Sequence, residues 1–94
     1  MAKIHLRVIT PHGLYLRTDV DYLEVRAEHS VLGILPHHAP LISNVIISPM
    51  KIKIGSNTYI YAISDGILNV KKDETVLLIN AIERMDEIDL DRAL

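Results

Sequence analysis

Residues 3–10 read KIHLRVIT, with Ile4, Leu6 and Val8 at every second position and Lys3, His5 and Arg7 between them. Side chains of a strand leave alternate faces of the sheet, so this pattern marks a strand with one buried face. Working outward, the same rhythm returns. Leu23, Val25 and Ala27 alternate with Tyr22, Glu24 and Arg26, and Met50, Ile52 and Ile54 alternate with Lys51 and Lys53. Residues 58–63 are rich in the β-branched and aromatic types that strands favour, residues 41–47 form a short apolar run stopped by Pro49, and residues 67–70 and 75–82 read as further strands. Turn chemistry punctuates these runs: Pro11-His12-Gly13, Gly55-Ser56-Asn57, Asp65-Gly66 and the polar residues 71–74. Asp65-Gly66 is the dipeptide expected of a tight hairpin. Strands recurring every ~8–12 residues predict an all-β, two-sheet β-sandwich, or flattened barrel, of about eight to ten short strands.

The last dozen residues, ERMDEIDLDRAL, are charged and lose the alternation. Asp89 is suited to cap a helix N-terminus, and Asp91 would favour the positive end of its dipole. The chain therefore divides into a β-sandwich domain over residues 1–83 and, over residues 84–94, a junction with the first turn of a helical region that is otherwise absent. One helical turn is marginal alone in water, so the expectation is a longer natural chain or a frayed stub.

Composition narrows the function classes. Ninety-four residues suffice for one domain, and with no Phe or Trp the core must be aliphatic, with four tyrosines as its only aromatic rings. A net charge of −2 with scattered basic residues argues against a nucleic-acid partner, which needs clustered Lys and Arg. The absence of cysteine removes disulfides, thiolate nucleophiles and Cys-ligated zinc, and fits a reducing cytoplasm. No run approaches the ~20 apolar residues of a spanning helix, and the N-terminal residues lack a signal peptide's apolar stretch. The chain reads as soluble by itself.

Five histidines raise a metal site, but His37 and His38 are adjacent and point apart in an extended segment, while His5, His12 and His29 sit on different elements. No metal is expected. Ser30, Ser43, Ser48, Ser56 and Ser64 include no nucleophile elbow, and the four glycines are spread singly rather than gathered into a phosphate cradle. No catalytic residue is assigned. What stands out is LGILPHHAPL, residues 32–41, where Pro36 and Pro40 stiffen a loop that could present a fixed surface. Val31 and Leu32 beside it either meet a partner or return to the core.

Four segments together resemble the epsilon subunit of the rotary F-type ATP synthase, called delta in mitochondria: VITPHG at 8–13, LGILPHHAPLI at 32–42, ISDGILNV at 63–70 and AIERMDEIDLDRA at 81–93. The resemblance runs the length of the chain. His37 stands where the family usually has Gly, which speaks against a left-handed backbone there, and Asp65 replaces the first Gly of a pair. The resemblance implies a β-sandwich with a non-catalytic role in the central stalk, held by the gamma subunit on one side and by the polar loops of the membrane c-ring at its lower edge. It implies a c-ring contact at Glu28, His29, Ser30, Val31 and Leu32, and a gamma contact at Thr10, His38, Pro40, Leu41 and Ser43. Such a subunit needs no cofactor. It would sit at the cytoplasmic face of the cell membrane, attached only through the complex.

In some bacterial members of that family an Ile/Leu-Asp-x-x-Arg-Ala stretch binds ATP as a regulatory ligand. Ile88, Asp89, Arg92 and Ala93 match it, with Glu83 upstream. A carboxylate can accept from an adenine amino group and an arginine can pair with phosphate. A helix cap and an Asp89–Arg92 ion pair would equally account for these residues.

Overall fold

The computed structural model describes residues 2–85; the helical start expected around Asp89 lies outside the described residues. Ten strands follow in order: β1 (Ile4–Thr10), β2 (Gly13–Val20), β3 (Tyr22–Arg26), β4 (Val31–Ile34), β5 (Leu41–Val45), β6 (Ser48–Ile54), β7 (Asn57–Ile63), β8 (Gly66–Val70), β9 (Thr75–Ile79) and β10 (Ile82–Arg84). They build two five-stranded sheets, β2-β1-β9-β8-β5 (sheet A) and β10-β7-β6-β3-β4 (sheet B). All pairs are antiparallel except β1 with β9. The all-β sandwich expected from the alternation is the fold observed.

The alternation decides which side chains meet between the sheets. Ile4, Leu6 and Val8 of β1, Leu23 and Val25 of β3, and Met50 and Ile52 of β6 are all buried in one core, closed from sheet A by Leu68 and Leu77. Burying an aliphatic side chain is worth ~1.5–3 kcal/mol, so this shared face, rather than any single contact, holds the sheets together.

Three strands were not expected where they lie. In β2 the ladder with β1 slips between Val8 and Ile9: Val8 pairs with Leu16 but Ile9 with Leu14, leaving Tyr15 as the extra residue. Such a bulge breaks the sequence alternation. β4 begins at Val31, in a segment read as turn and loop, and pairs with β3. The run expected over residues 75–82 is two strands: it leaves sheet A after Ile79 and re-enters sheet B at Ile82.

The expected hairpin at Asp65-Gly66 is absent. β7 belongs to sheet B and β8 to sheet A, so the chain there changes sheet. Gly66 answers to crowding instead of turn geometry. A Cβ on it would lie 2.0 Å from the Leu78 carbonyl oxygen. Ser64 fastens this crossing, its Oγ accepting from the amides of Asn80 (2.9 Å) and Ala81 (3.0 Å).

Connections between β2 and β3, β4 and β5, β5 and β6, β7 and β8, and β9 and β10 all pass from one sheet to the other. The registers also give the sandwich two distinct ends. The upper end gathers the turn after Thr10, the turn after Ala27, the bend at Ile46-Ile47 and the crossings at Asp65 and Ala81. At the lower end lie Asp21, the loop from Leu35 to Pro40, Gly55 and the turn at residues 71–74.

Candidate interaction surfaces

At the upper end, the turn between β3 and β4 closes with the Ala27 amide donating to the Ser30 carbonyl at 2.8 Å. Glu28 and His29 project almost wholly into solvent, 4.0 Å from each other. Ser30 is exposed and Val31 is 55 % exposed, but Leu32 turns inward and packs on the core. The five residues expected to face a c-ring thus form one tip, with Leu32 serving as its root. Strand alternation separates the two apolar neighbours: one outward, one inward.

The residues expected to face gamma do not gather into a single spot. Thr10 lies at the upper end, where its Oγ accepts from the His12 amide (3.2 Å) and donates to the Gly13 carbonyl (3.3 Å). His38 and Pro40 lie at the lower end, and Leu41 and Ser43 are half-buried on edge strand β5. Three strand spacings and four residues of rise separate Thr10 from Leu41, roughly 20 Å from strand geometry. The two groups mark opposite corners of sheet A.

Between those corners runs a feature the sequence reading missed. On the outer face of sheet A, Ile9 stands beside Leu78, Leu78 beside Ile67, and Ile67 beside Asn44, with Ile42 on the same face two residues earlier; Leu14 continues the row beyond Ile9. Leu14, Ile42, Ile67 and Leu78 are exposed, Ile42 by 72 %. The available signal was the loss of alternation in Thr75–Ile79 and Gly66–Val70, where consecutive apolar residues require both faces of a strand to be apolar. Sheet B's outer face differs. Glu24 pairs in register with Lys51, Lys53 stands 5.6 Å from the Tyr22 ring centre, and the Tyr22 hydroxyl donates to Glu24 at 2.9 Å. That hydrogen bond to a carboxylate raises the Tyr22 pKa.

The loop at the lower end holds a further surprise. His37 adopts φ 69°, the left-handed backbone that its side chain was expected to oppose. The turn is closed by the His38 amide donating to the Leu35 carbonyl at 3.1 Å. His38 Nδ1 lies 2.7 Å from the Ala39 carbonyl oxygen, which only accepts, so the proton sits on Nδ1. His37, His38, His5 and Asp19 border an open concavity of about 530 Å³. His5 Nδ1 is 2.6 Å from Asp19, and Arg7 Nε lies 3.0 Å from Glu74. Lys3 pairs with Asp21, whose carboxyl is held below its ordinary pKa first by that lysine and then by the Gly55 amide, which donates at 2.7 Å. Among the described residues no group of three or more His, Asp or Glu could hold a metal ion.

Of the residues matched to nucleotide binding, Glu83 is exposed on β10, in register with Ala62. Ile88, Asp89, Arg92 and Ala93 lie outside the described residues.

Residues 3–85 match the family model described as ATP synthase, Delta/Epsilon chain, beta-sandwich domain. The chain belongs to this family. Proteins named ATP synthase epsilon chain align with it nearly end to end: 40 % identical over 91 residues in Carboxydothermus hydrogenoformans, covering 97 % of this chain and 68 % of that protein, and 36 % over 93 residues in Halalkalibacterium halodurans, covering 99 % and 70 %. The fold of a chain from the Euglena gracilis mitochondrial ATP synthase, solved as OSCP/F1/c-ring, superposes with a TM-score of 0.84 at 18 % identity, over 99 % of this chain and 62 % of that one. A chain from the central stalk/c-ring of the Tetrahymena thermophila enzyme superposes with a TM-score of 0.73 at 15 % identity, over 85 % and 65 %. This chain thus spans less than two thirds of either solved chain. An epsilon chain is a non-catalytic, peripheral subunit of the ATP synthase, and among the described residues no helix is long and apolar enough to cross a membrane.

Proposed function

We propose that this chain is a rotor part of the central stalk, joining the gamma subunit to the c-ring at the cytoplasmic face of the membrane and passing ion-driven rotation on to ATP synthesis. The observation that carries the reading is the apolar row on the outer face of sheet A. A sandwich needs only its inner faces apolar, and a contiguous outward patch marks a protein contact. The row runs from Leu14 and Ile9, beside Thr10, to Ile42, which stands between Leu41 and Ser43 on β5. One broad gamma surface laid on sheet A thus reaches the neighbourhood of both groups, although Leu41 itself packs on the core. His38 and Pro40 border that face at the lower end, where two prolines hold the loop. The Glu28–Val31 tip stands at the upper end, free for the c-ring. No cofactor enters this role.

The test is capture by the gamma subunit of the same organism. Ile67→Lys and Leu78→Asp place charges in the row without touching the core, and each is expected to weaken capture at least tenfold while thermal unfolding stays unchanged. Full capture by both variants refutes the assignment of this face.

A second reading, regulatory ATP binding at the junction after β10, draws support from Glu83, an exposed carboxylate on the last strand. Titration with Mg-ATP, followed at the amides of Glu83, Asp89 and Arg92, decides it; unchanged spectra at millimolar nucleotide dismiss it.

A further inference from the structure

The bend between β5 and β6 carries two isoleucines that neither surface above uses. Ile47 is 76 % exposed and Ile46 37 %. A two-residue bend in water ordinarily takes Gly, Asn, Asp, Ser or Pro, and neither isoleucine packs on the core. This bend is not loose. The Ile46 amide donates to the Arg26 carbonyl at 2.9 Å, Ser48 Oγ donates to the Ile46 carbonyl at 2.8 Å, and Pro49 fixes the backbone just beyond.

Its location gives the exposed pair a meaning. Arg26 bonds to Ile46 on one side and pairs with Val31 on the other. Val31 and Ile46 therefore flank one residue, about 10 Å apart across two strand spacings. The bend and the Glu28–Val31 tip rise from the same end of the sandwich, close enough to meet one loop of a partner. Together they have the anatomy of a protein contact: an apolar centre of Val31, Ile46 and Ile47, bordered by the largely solvated Glu28 and His29.

We infer that Ile46 and Ile47 form a second, apolar prong of the ring-facing end, seated on the same c-ring loop that the Glu28–Val31 tip meets. The inference rests on the ring-facing reading proposed above. The chemistry asks for a loop that offers hydrocarbon surface to the isoleucines and hydrogen-bond donors to the Glu28 carboxylate. Long polar side chains do both, with aliphatic stems and polar heads. Because hydrogen bonds and a proline already fix the bend, little entropy is lost when the loop seats on it. The backbone tie to Arg26 of β3 holds this prong at the upper end of the sandwich, where the chain leaves β5 of sheet A beyond the last residue of the row and crosses to sheet B.

The chain contains no cysteine, so single thiols can be placed without background. Ile47→Cys, Val31→Cys and, at the opposite end, Lys72→Cys are each incorporated into the assembled ATP synthase and labelled with a short thiol-linked photo-crosslinker. The expected result is ring-subunit adducts from both Ile47→Cys and Val31→Cys, and none from Lys72→Cys. If Val31→Cys reaches the ring while Ile47→Cys gives no adduct or one with gamma, the second prong is wrong and the ring-facing tip stands. If neither reaches the ring, both fall. As a complement, Ile46→Ser/Ile47→Ser is expected to lower retention on the ring at least tenfold with an unchanged melting temperature; full retention overturns the inference.

Discussion

His37 holds a left-handed backbone at φ 69°, where a side chain costs about 1–2 kcal/mol relative to glycine. Glycine gives back part of that gain, because it loses about 0.5–1 kcal/mol more chain entropy on folding. His37→Gly is therefore expected to stabilise the sandwich by up to about 1 kcal/mol, read as a higher urea midpoint at unchanged slope. A lower midpoint would mean that the ring makes contacts worth more than the strain. A histidine in a glycine's place predicts a changed backbone, and the structure differs: the left-handed conformation is kept. The closed turn from Leu35 to His38 keeps its geometry and the side chain bears the cost. Gly66 teaches the converse. Its dipeptide promised a hairpin, whereas the residue is small because the Leu78 carbonyl occupies the space a Cβ would fill, and no local pattern reports a neighbour twelve residues away.

Elements were legible wherever one face is apolar and the other polar. β1, β3 and β6 satisfy that condition and were read directly. β2 hides behind its bulge and an inward Thr18, and β10 is three residues long and takes its identity from the ladder with β7. At β4, Gly33 leaves a gap in the pattern, and a Cβ there would come within 2.8 Å of the Tyr22 hydroxyl. Alternation at β4 also separates two substitutions. Val31→Asp should leave folding intact and weaken coupling in the assembled enzyme, while Leu32→Asp should cost at least about 2 kcal/mol of stability by burying a carboxylate against the core; equal urea midpoints would show that Leu32 is not seated inward. The corner from β2 to β3 depends on Asp21, tied to Lys3 and to the Gly55 amide. Its folded pKa lies below the unfolded value of about 3.9, so the carboxylate stabilises fully above that value, and its contribution is lost as pH falls through the folded pKa. Asp21→Asn should thus lower the urea midpoint at pH 7, with the gap closing as the pH drops below about 4. A gap that persists at pH 2 would assign the effect to packing.

At the scale of the whole molecule, the outer faces are unlike: sheet A presents an apolar row and sheet B interleaved lysine and glutamate. The sandwich could be read from the alternation, whereas residues 28–31 stand out as a contact only through the family resemblance. The row could not be read at all, because it exists only once the ladders set Ile9, Leu78 and Ile67 side by side. If gamma covers that row, their association should persist as ionic strength rises. Screening shortens from about 10 Å at 0.1 M salt to about 3 Å at 1 M and weakens charge pairs, while apolar burial is unaffected by it. Capture that collapses at 1 M salt would transfer the contact to the charged face instead.

The five connections that change sheet have a mechanical corollary. Two layers held only by greasy side chains can slip past one another under a sideways load, but here every sliding path is blocked by covalent chain laced across both rims, three stitches above and two below. A push received on one layer must carry the other with it, so a sideways load would meet the domain as a single block rather than as two sliding plates.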